Sequence, residues 1–316
     1  MIGIDIGGTT VKIGLLNHEG KIIYKWEIPT IIDNQGDRIV DDIWQSITQT
    51  ISEQKVKSDI IGIGVGAPGF VNRKTGIVEE AVNIGWKDFH LKDKLQKLSN
   101  LPVVIENDAN LAALAENWQG SGNDSNDVIF ITLGTGVGGG IIVNGEILNG
   151  TNGTAAEIGH ILVEPDGHPC NCGRAGCLET IASATGIVRQ AMEQVANNPD
   201  SELASYYRRH GKITTKDIFE LAQNGYSLSE NIINKATDTL GFVLANTAVT
   251  INPSRIIIGG GMSKAGEPLL SKIKSSFKKY ALPRISDCCE VTLAQLGNDA
   301  GMVGAAYLVK SSVVNE

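Results

Sequence analysis

The strongest constraint on this chain is a repeat inside it. The opening stretch, MIGIDIGGTTVKIGLLNHEGKIIYKWEIPT, reads as a short apolar strand, a Gly-Gly turn, a second strand, an Asn/Gly turn and a third strand. The stretch DVIFITLGTGVGGGIIVNGEIL repeats that order from Asp127. Laid over the start of the chain, Ile4 falls on Ile131, Gly7 on Gly134, Leu16 on Val143 and Asn17 on Asn144. Two copies of an antiparallel meander, each with a glycine-rich first turn, predict two similar α/β lobes facing a shared phosphate. The 316 residues are long for a single core, which fits the same division. No low-complexity linker separates the copies, so a hinge is expected rather than a tether.

The polar residues gather where strands end. Asp5 precedes the first turn, followed by Gly7, Gly8, Thr9 and Thr10. Adjacent glycines let the backbone approach an anion closely, and hydroxyls and exposed N–H groups can hold phosphate oxygens; an ordinary hairpin turn would look the same. Gly134, Thr135 and Gly136 form the second such turn, and Gly259, Gly260 and Gly261 end the apolar strand SRIIIGGGM in a third, where a flat base or ribose could lie against bare backbone. Gly134, Gly136 and Gly139 satisfy GxGxxG, but a strand follows rather than a helix, and no GxxxxGK[ST] occurs. After an amphipathic helix over Arg38–Gln54 and a buried strand in IIGIGVGAP, the landmarks are Asn83 in AVNIGW and the segment PVVIENDANLAALAENW. There a helix over Leu91–Leu98 precedes a strand, Val103–Ile105, which runs into Glu106, Asn107 and Asp108 just before a helix begins. Open α/β sheets place ligand chemistry at such strand ends. Helix capping would account for one of the three residues.

Between Glu157 and Glu179, EIGHILVEPDGHPCNCGRAGCLE collects three of the five cysteines and two histidines in a segment too rich in Gly and Pro to be one regular element. His160, Cys170, Cys172 and Cys177 supply the imidazole and thiolates of a closed tetrahedral zinc site, the alternative being three reduced cysteines in a surface loop. A structural zinc there would fix Glu157 and Glu179 around a polar pocket. Cys288 and Cys289 read as packing residues in a reducing cytoplasm. Residues 180–250 read as mostly helical, broken at Asn197-Asn198-Pro199 and near Gly211. VTLAQLGNDAGMVGAAYLV predicts a strand, a polar loop and a helix of small residues.

Together these are the parts of a phosphoryl-transfer site. Glycine turns would seat a nucleotide, Asp5 would orient a hydrated Mg²⁺, and Asp108 would take a proton from an attacking hydroxyl. Asn83, Asn107, Glu157 and Glu179 suit the several hydroxyls of a sugar. A net charge of −8 without a dense Lys/Arg run argues against nucleic acid or an anionic membrane as the partner, and neither a transmembrane-length apolar run nor a signal peptide is evident.

DIGGT, ENDAN, LGTGVGGG, EIGH, CNCGRAGCLE and IIIGGG together resemble the bacterial ROK sugar kinases and repressors over essentially the whole chain. VNIGW and ETIASATGIV look most like the glucokinases of Gram-positive bacteria. The resemblance implies a duplicated actin-like, ribonuclease-H-like ATPase fold of βββαβα-type lobes: 1–118, completed by a C-terminal helix at 301–316, and 119–300, carrying the zinc loop and a helical insertion. It implies ATP-dependent phosphorylation of glucose, with Asp108 as base and Asn83, Asn107, Asp108, Glu157, His160 and Glu179 holding the sugar. Zinc would be held by His160, Cys170, Cys172 and Cys177. Other hexoses, N-acetylmannosamine, N-acetylglucosamine or fructose, are the alternative acceptors. A sugar-sensing repressor would carry a winged helix ahead of the first turn, where this sequence begins. Two departures stand out: Thr10 occupies a position where many members carry Lys, which leaves a phosphate contact to Lys12, and Ala155-Ala156 replaces the more usual Ala-Gly. A cytoplasmic homodimer is also implied.

Because acceptor groups come from both halves, the lobes are expected to close on the sugar and exclude water from the phosphoryl donor. Small-angle scattering with and without glucose checks this: compaction is expected, and an unchanged radius of gyration counts against it.

Overall fold

The structure, a computed structural model, describes residues 1–54 and 59–313. It divides into two compact units. One comprises Met1–Asp124, Ile147–Ala155 and the residues from Leu296 on; the other comprises Ser125–Glu146 and Ala156–Gln295. The first boundary falls beyond residue 118 because the turn after it stays tied to the preceding helix, Gly122 N donating to Glu116 O at 2.7 Å and Asp124 N to Asn117 O at 2.8 Å.

In the first unit, β1 (Ile2–Ile6), β2 (Thr10–Leu16), β3 (Ile22–Pro29), β4 (Ile63–Ala67), β5 (Phe70–Asn72), β6 (Ile77–Ala81), β7 (Trp86–Phe89) and β8 (Val103–Asn107) make two sheets. The main sheet has the order β3-β2-β1-β4-β8, the meander antiparallel and β1, β4 and β8 parallel. The central strands are buried and read as apolar runs, as a sheet covered on both faces requires. The helix Ile39–Glu53 turns Ile39, Ile43 and Ile47 into the core that these strands share. The C-terminal helix Ala300–Val313 lies against β1, β4 and the helix Asp108–Gln119. It approaches closely because Gly3 and Gly64 offer no Cβ: one on Gly3 would overlap the Met302 carbonyl, and one on Gly64 that of Ala305. Of the helix expected at 301–316, residues 314–316 lie outside the described residues.

The second unit repeats the plan with β9 (Val128–Leu133), β10 (Val137–Val143), β11 (Glu146–Ile147), β12 (Arg255–Gly259) and β13 (Glu290–Leu293), in the order β11-β10-β9-β12-β13. The shared strand order is the duplication expected from the repeat. Its register differs from the sequence overlay by one residue, however. In the first copy Met1 and Leu16 exchange backbone hydrogen bonds, whereas in the second the equivalent of Met1, Val128, pairs with Ile142 rather than Val143. The cause is the first turn. Ile6 faces Val11 across Gly7–Thr10, while Leu133 faces Val137 across Gly134–Gly136, a loop one residue shorter.

Beyond the cysteine loop, helices Ala184–Asn197, Glu202–His210, Thr215–Gln223 and Ser227–Ile251 lead to β12, with breaks where Asn-Asn-Pro and Gly211 predict. Gly211 ends its helix in the left-handed region at φ 72°. Among the described residues, no helix is long and apolar enough to cross a membrane.

Candidate active site

In the first unit the expected groups gather at the carboxyl ends of β1 and β8. Asp5 on β1 faces Lys12 on β2 and Gly66 on β4 in the ladder. Burial, reinforced by the carboxylate of Asp108, pushes Asp5 up to about 6 against the pull of Lys12. Asp5 and Asp108 therefore share one electrostatic environment. Beyond Ile6 the first turn is held at both ends: Gly7 N donates to Thr10 O at 3.0 Å, the Thr30 hydroxyl donates to Gly7 O at 2.7 Å, and Thr30 N donates to Thr9 O at 2.9 Å. Asn83 stands beside this turn, its Cβ 3.8 Å from where a Cβ on Gly8 would lie. Lys12, the expected phosphate contact, donates its ammonium to the carbonyl of Asn298 at 3.2 Å.

At the corner between β8 and the helix Asp108–Gln119 two neighbouring side chains meet the helix terminus. The N-cap is Asn107: its Oδ1 accepts from Ala109 N at 2.9 Å and Asn110 N at 3.3 Å, and its Nδ2 donates to Gly69 O at 3.1 Å. Asp108 is exposed and takes a second bond from Ala109 N at 2.8 Å. Beneath the corner, Glu106 is 2 % exposed. Its Oε1 accepts from Asn107 N at 3.0 Å and Asn110 Nδ2 at 3.1 Å, while Arg73 stands 3.9 Å from Oε2. Burial holds Glu106 above the usual carboxylate range. The anchoring of the Asn107 amide by Glu106 becomes visible only in three dimensions.

In the second unit, His160, Cys170, Cys172 and Cys177 bring one ligand atom each to within 4.8 Å of one another. Cys172 and Cys177 sulfurs are 3.6 Å apart, as are Cys170 Sγ and His160 Nδ1. A tetrahedron with Zn–S and Zn–N bonds of about 2.3 and 2.0 Å has edges of roughly 3.5 to 3.8 Å, so these two edges already match a closed zinc site and the wider ones, up to 4.8 Å, would draw in around the ion. Hydrogen bonding from the Arg174 amide pulls Cys172 down to about 6, while burial pushes Cys170 up to about 12. The loop is cross-braced by Cys170 N to Arg174 O at 2.7 Å and Gly176 N to His168 O at 2.8 Å.

His160 is expected at both metal and sugar, and its two nitrogens point in two directions. Nδ1 faces Cys170, and Nε2 lies 3.9 Å from Glu157 Oε2. Glu157 follows Ala156, whose φ of 65° lies in the left-handed region that glycine occupies freely. The alanine found where Ala-Gly is more usual is thus a backbone constraint immediately before a candidate ligand. Burial raises Glu157 above its usual range, His160 opposing and Glu179 adding to the shift. Glu179 opens the short helix Glu179–Ala182. Its Oε2 accepts from Val137 N at 2.9 Å, and its Oε1 lies 3.8 Å from Cys170 Sγ.

The second and third glycine turns meet. Gly260, at φ 81°, packs where a Cβ would overlap the backbone of Leu133, the last residue before Gly134. Two residues that the sequence did not single out hold the second turn from outside: Ala184 N donates to Gly134 O at 2.8 Å, and the Thr185 hydroxyl to Thr135 O at 2.7 Å. A Ser at the N-cap, here Ser183 capping Gly186, marks the helix start, but no local signal says which turn that helix meets.

The ROK family model matches residues 1–312. The glucokinase of Halalkalibacterium halodurans is 51% identical over 98% of this chain and 94% of its own length. That of Thermotoga maritima is 36% identical over 99% and 98%. Among solved structures, a ROK family glucokinase from Streptomyces griseus in complex with glucose and AMPPNP superposes with a TM-score of 0.79 at 37% identity, covering 99% of both chains.

Proposed function

The chain belongs to the ROK family, and from that premise we propose that it is an ATP-dependent glucokinase, forming glucose 6-phosphate. The observation that carries this reading is the division of labour at the β8 corner: Asn107 caps the helix with its own side chain, and the Asp108 carboxylate beside it is exposed to a reacting hydroxyl.

In this mechanism glucose is held by Asn83, Asn107, Asp108, Glu157, His160 and Glu179. The nucleotide lies on the turns Gly7–Thr10, with Lys12, Gly134–Gly136 and Gly259–Gly261. Asp108 accepts the proton of the 6-hydroxyl as that oxygen attacks the γ-phosphorus; the new O–P bond forms as the bridge to the β-phosphate breaks, and ADP leaves. Asp5 would hold hydrated Mg²⁺, which neutralises charge on the phosphates when bound. His160, Cys170, Cys172 and Cys177 would hold a structural zinc, whose chemistry is to fix the loop rather than to react. His160 can serve both ends of this arrangement, Nδ1 toward the metal and Nε2 toward the sugar.

Specificity constants for a panel of hexoses with ATP and Mg²⁺ test the substrate. Glucose should exceed N-acetylmannosamine, N-acetylglucosamine and fructose; preference for any of these reassigns the acceptor. We further propose a cytoplasmic homodimer, for which sedimentation at micromolar concentration should show a dimer, and a monomer alone removes it.

A further inference from the structure

The two oxygens of Glu179 do different things. Oε2 accepts the amide hydrogen of Val137, the first residue after the Gly134–Gly136 turn, and Oε1 is turned toward the Cys170 sulfur. Gly136 lacks a side chain at the point where that carboxylate rests: a Cβ there would overlap Oε2. The next helix closes on the same turn through Ala184 N and Thr185. A turn with a carboxylate inside one arm and a helix N-terminus outside the other has its backbone N–H groups aimed by these partners.

We propose that Glu179 is a positioning residue for the nucleotide as well as a ligand of the sugar: one oxygen holds the second phosphate turn in its binding shape, and the other, beside the Cys170 sulfur, takes a sugar hydroxyl. This rests on the glucokinase reading. A sugar that orders Glu179 then prepares the turn for the nucleotide, and a nucleotide that orders the turn prepares Glu179 for the sugar. Such coupling is reciprocal by thermodynamic necessity. It predicts that damage to either side is felt by the other ligand in binary complexes, where the second ligand is absent.

The experiment is calorimetric titration of Mg-AMPPNP into sugar-free wild type, Glu179→Ala and Glu179→Gln, and of glucose into nucleotide-free wild type and Gly136→Ala. Losing a hydrogen bond to a charged acceptor should weaken Mg-AMPPNP binding by about tenfold or more in Glu179→Ala. Glu179→Gln keeps an oxygen that can accept from Val137 N and should return to within about threefold of wild type. Gly136→Ala, by driving the carboxylate aside, should weaken glucose by about tenfold. A merely structural role would lower melting temperatures and leave these dissociation constants alone. If Glu179→Ala does not fold, Glu179→Asp, whose carboxylate is drawn back by one methylene, gives the same readout. Wild-type Mg-AMPPNP affinity in the alanine or aspartate variant, or wild-type glucose affinity in Gly136→Ala, overturns the coupling. A wild type that binds neither ligand overturns the glucokinase reading itself.

Discussion

Replacing Asp108 with asparagine is expected to lower turnover by roughly 10² or more while changing glucose affinity by less than about tenfold. Phosphoryl transfer to a hydroxyl asks for positioning, charge stabilisation and removal of one proton, and a base in the right place contributes a factor of about 10² to 10⁴. Asparagine keeps the size of the side chain and its hydrogen bonds to a sugar but cannot take the proton as a carboxylate does. The helix beyond should survive, because the amides of Ala109 and Asn110 are already taken by Asn107 Oδ1. If Asp108 served only the helix terminus, turnover and melting temperature would both stay near wild type. Turnover, glucose dissociation constant and melting temperature on this variant separate the two, and near-wild-type turnover would remove Asp108 as the base. Asp5 provides an internal check: with the charge of Asp108 gone, one of the causes that raise it toward about 6 is removed, and it should ionise at lower pH.

Replacing Cys172 with alanine is expected to remove zinc and most of the activity together. Three remaining donors do not close a structural site, and metal binding of this kind is also folding free energy, on the order of 10 kcal/mol in small zinc-finger peptides. The consequence is specific here because the cysteines adjoin the candidate sugar ligands: Cys170 lies beside Glu179, and His160 lies between Cys170 and Glu157. Besides its backbone bonds the loop is held by Arg174 on His160 O, by His168 on Glu193 and by Lys235 on Glu164, none of which fixes a cysteine sulfur, so losing the metal loosens the cysteines that adjoin these ligands. Elemental analysis should find one zinc per wild-type chain and none in the variant. Full activity in a zinc-free variant would make the cysteines bystanders.

Much of this was legible in the sequence because it depends on local pattern. The repeat gave the two meanders, and continuous apolar runs at β4 and β12 marked buried parallel strands. Close spacing of Cys170, Cys172 and Cys177 gave the cluster. What escaped the sequence was decided by partners distant in the chain. The small sheet β5-β6-β7 that leads to Asn83 leaves no mark in the sequence because its strands are short and carry adjacent polar residues, as in Glu79-Glu80, so no period of two stands out. The one-residue register shift between the repeats comes from ladder pairing, which a sequence overlay does not contain. The roles of Thr30, Glu106 and Thr185 were equally hidden, since each acts through a bond to a backbone group whose identity only the fold supplies. The capping function of Asn107 lay between: its position favoured a cap, but the sequence could not say whether it or Asp108 filled that place.

The central claim is that the protein transfers the γ-phosphoryl group of ATP to glucose. The most direct measurement is phosphorus NMR of the purified protein with glucose, ATP and Mg²⁺. A glucose 6-phosphate resonance should grow in step with ADP at one-to-one stoichiometry, with neither forming when glucose is left out. ATP that persists unchanged with glucose present, or that is hydrolysed equally fast without it, would contradict the account.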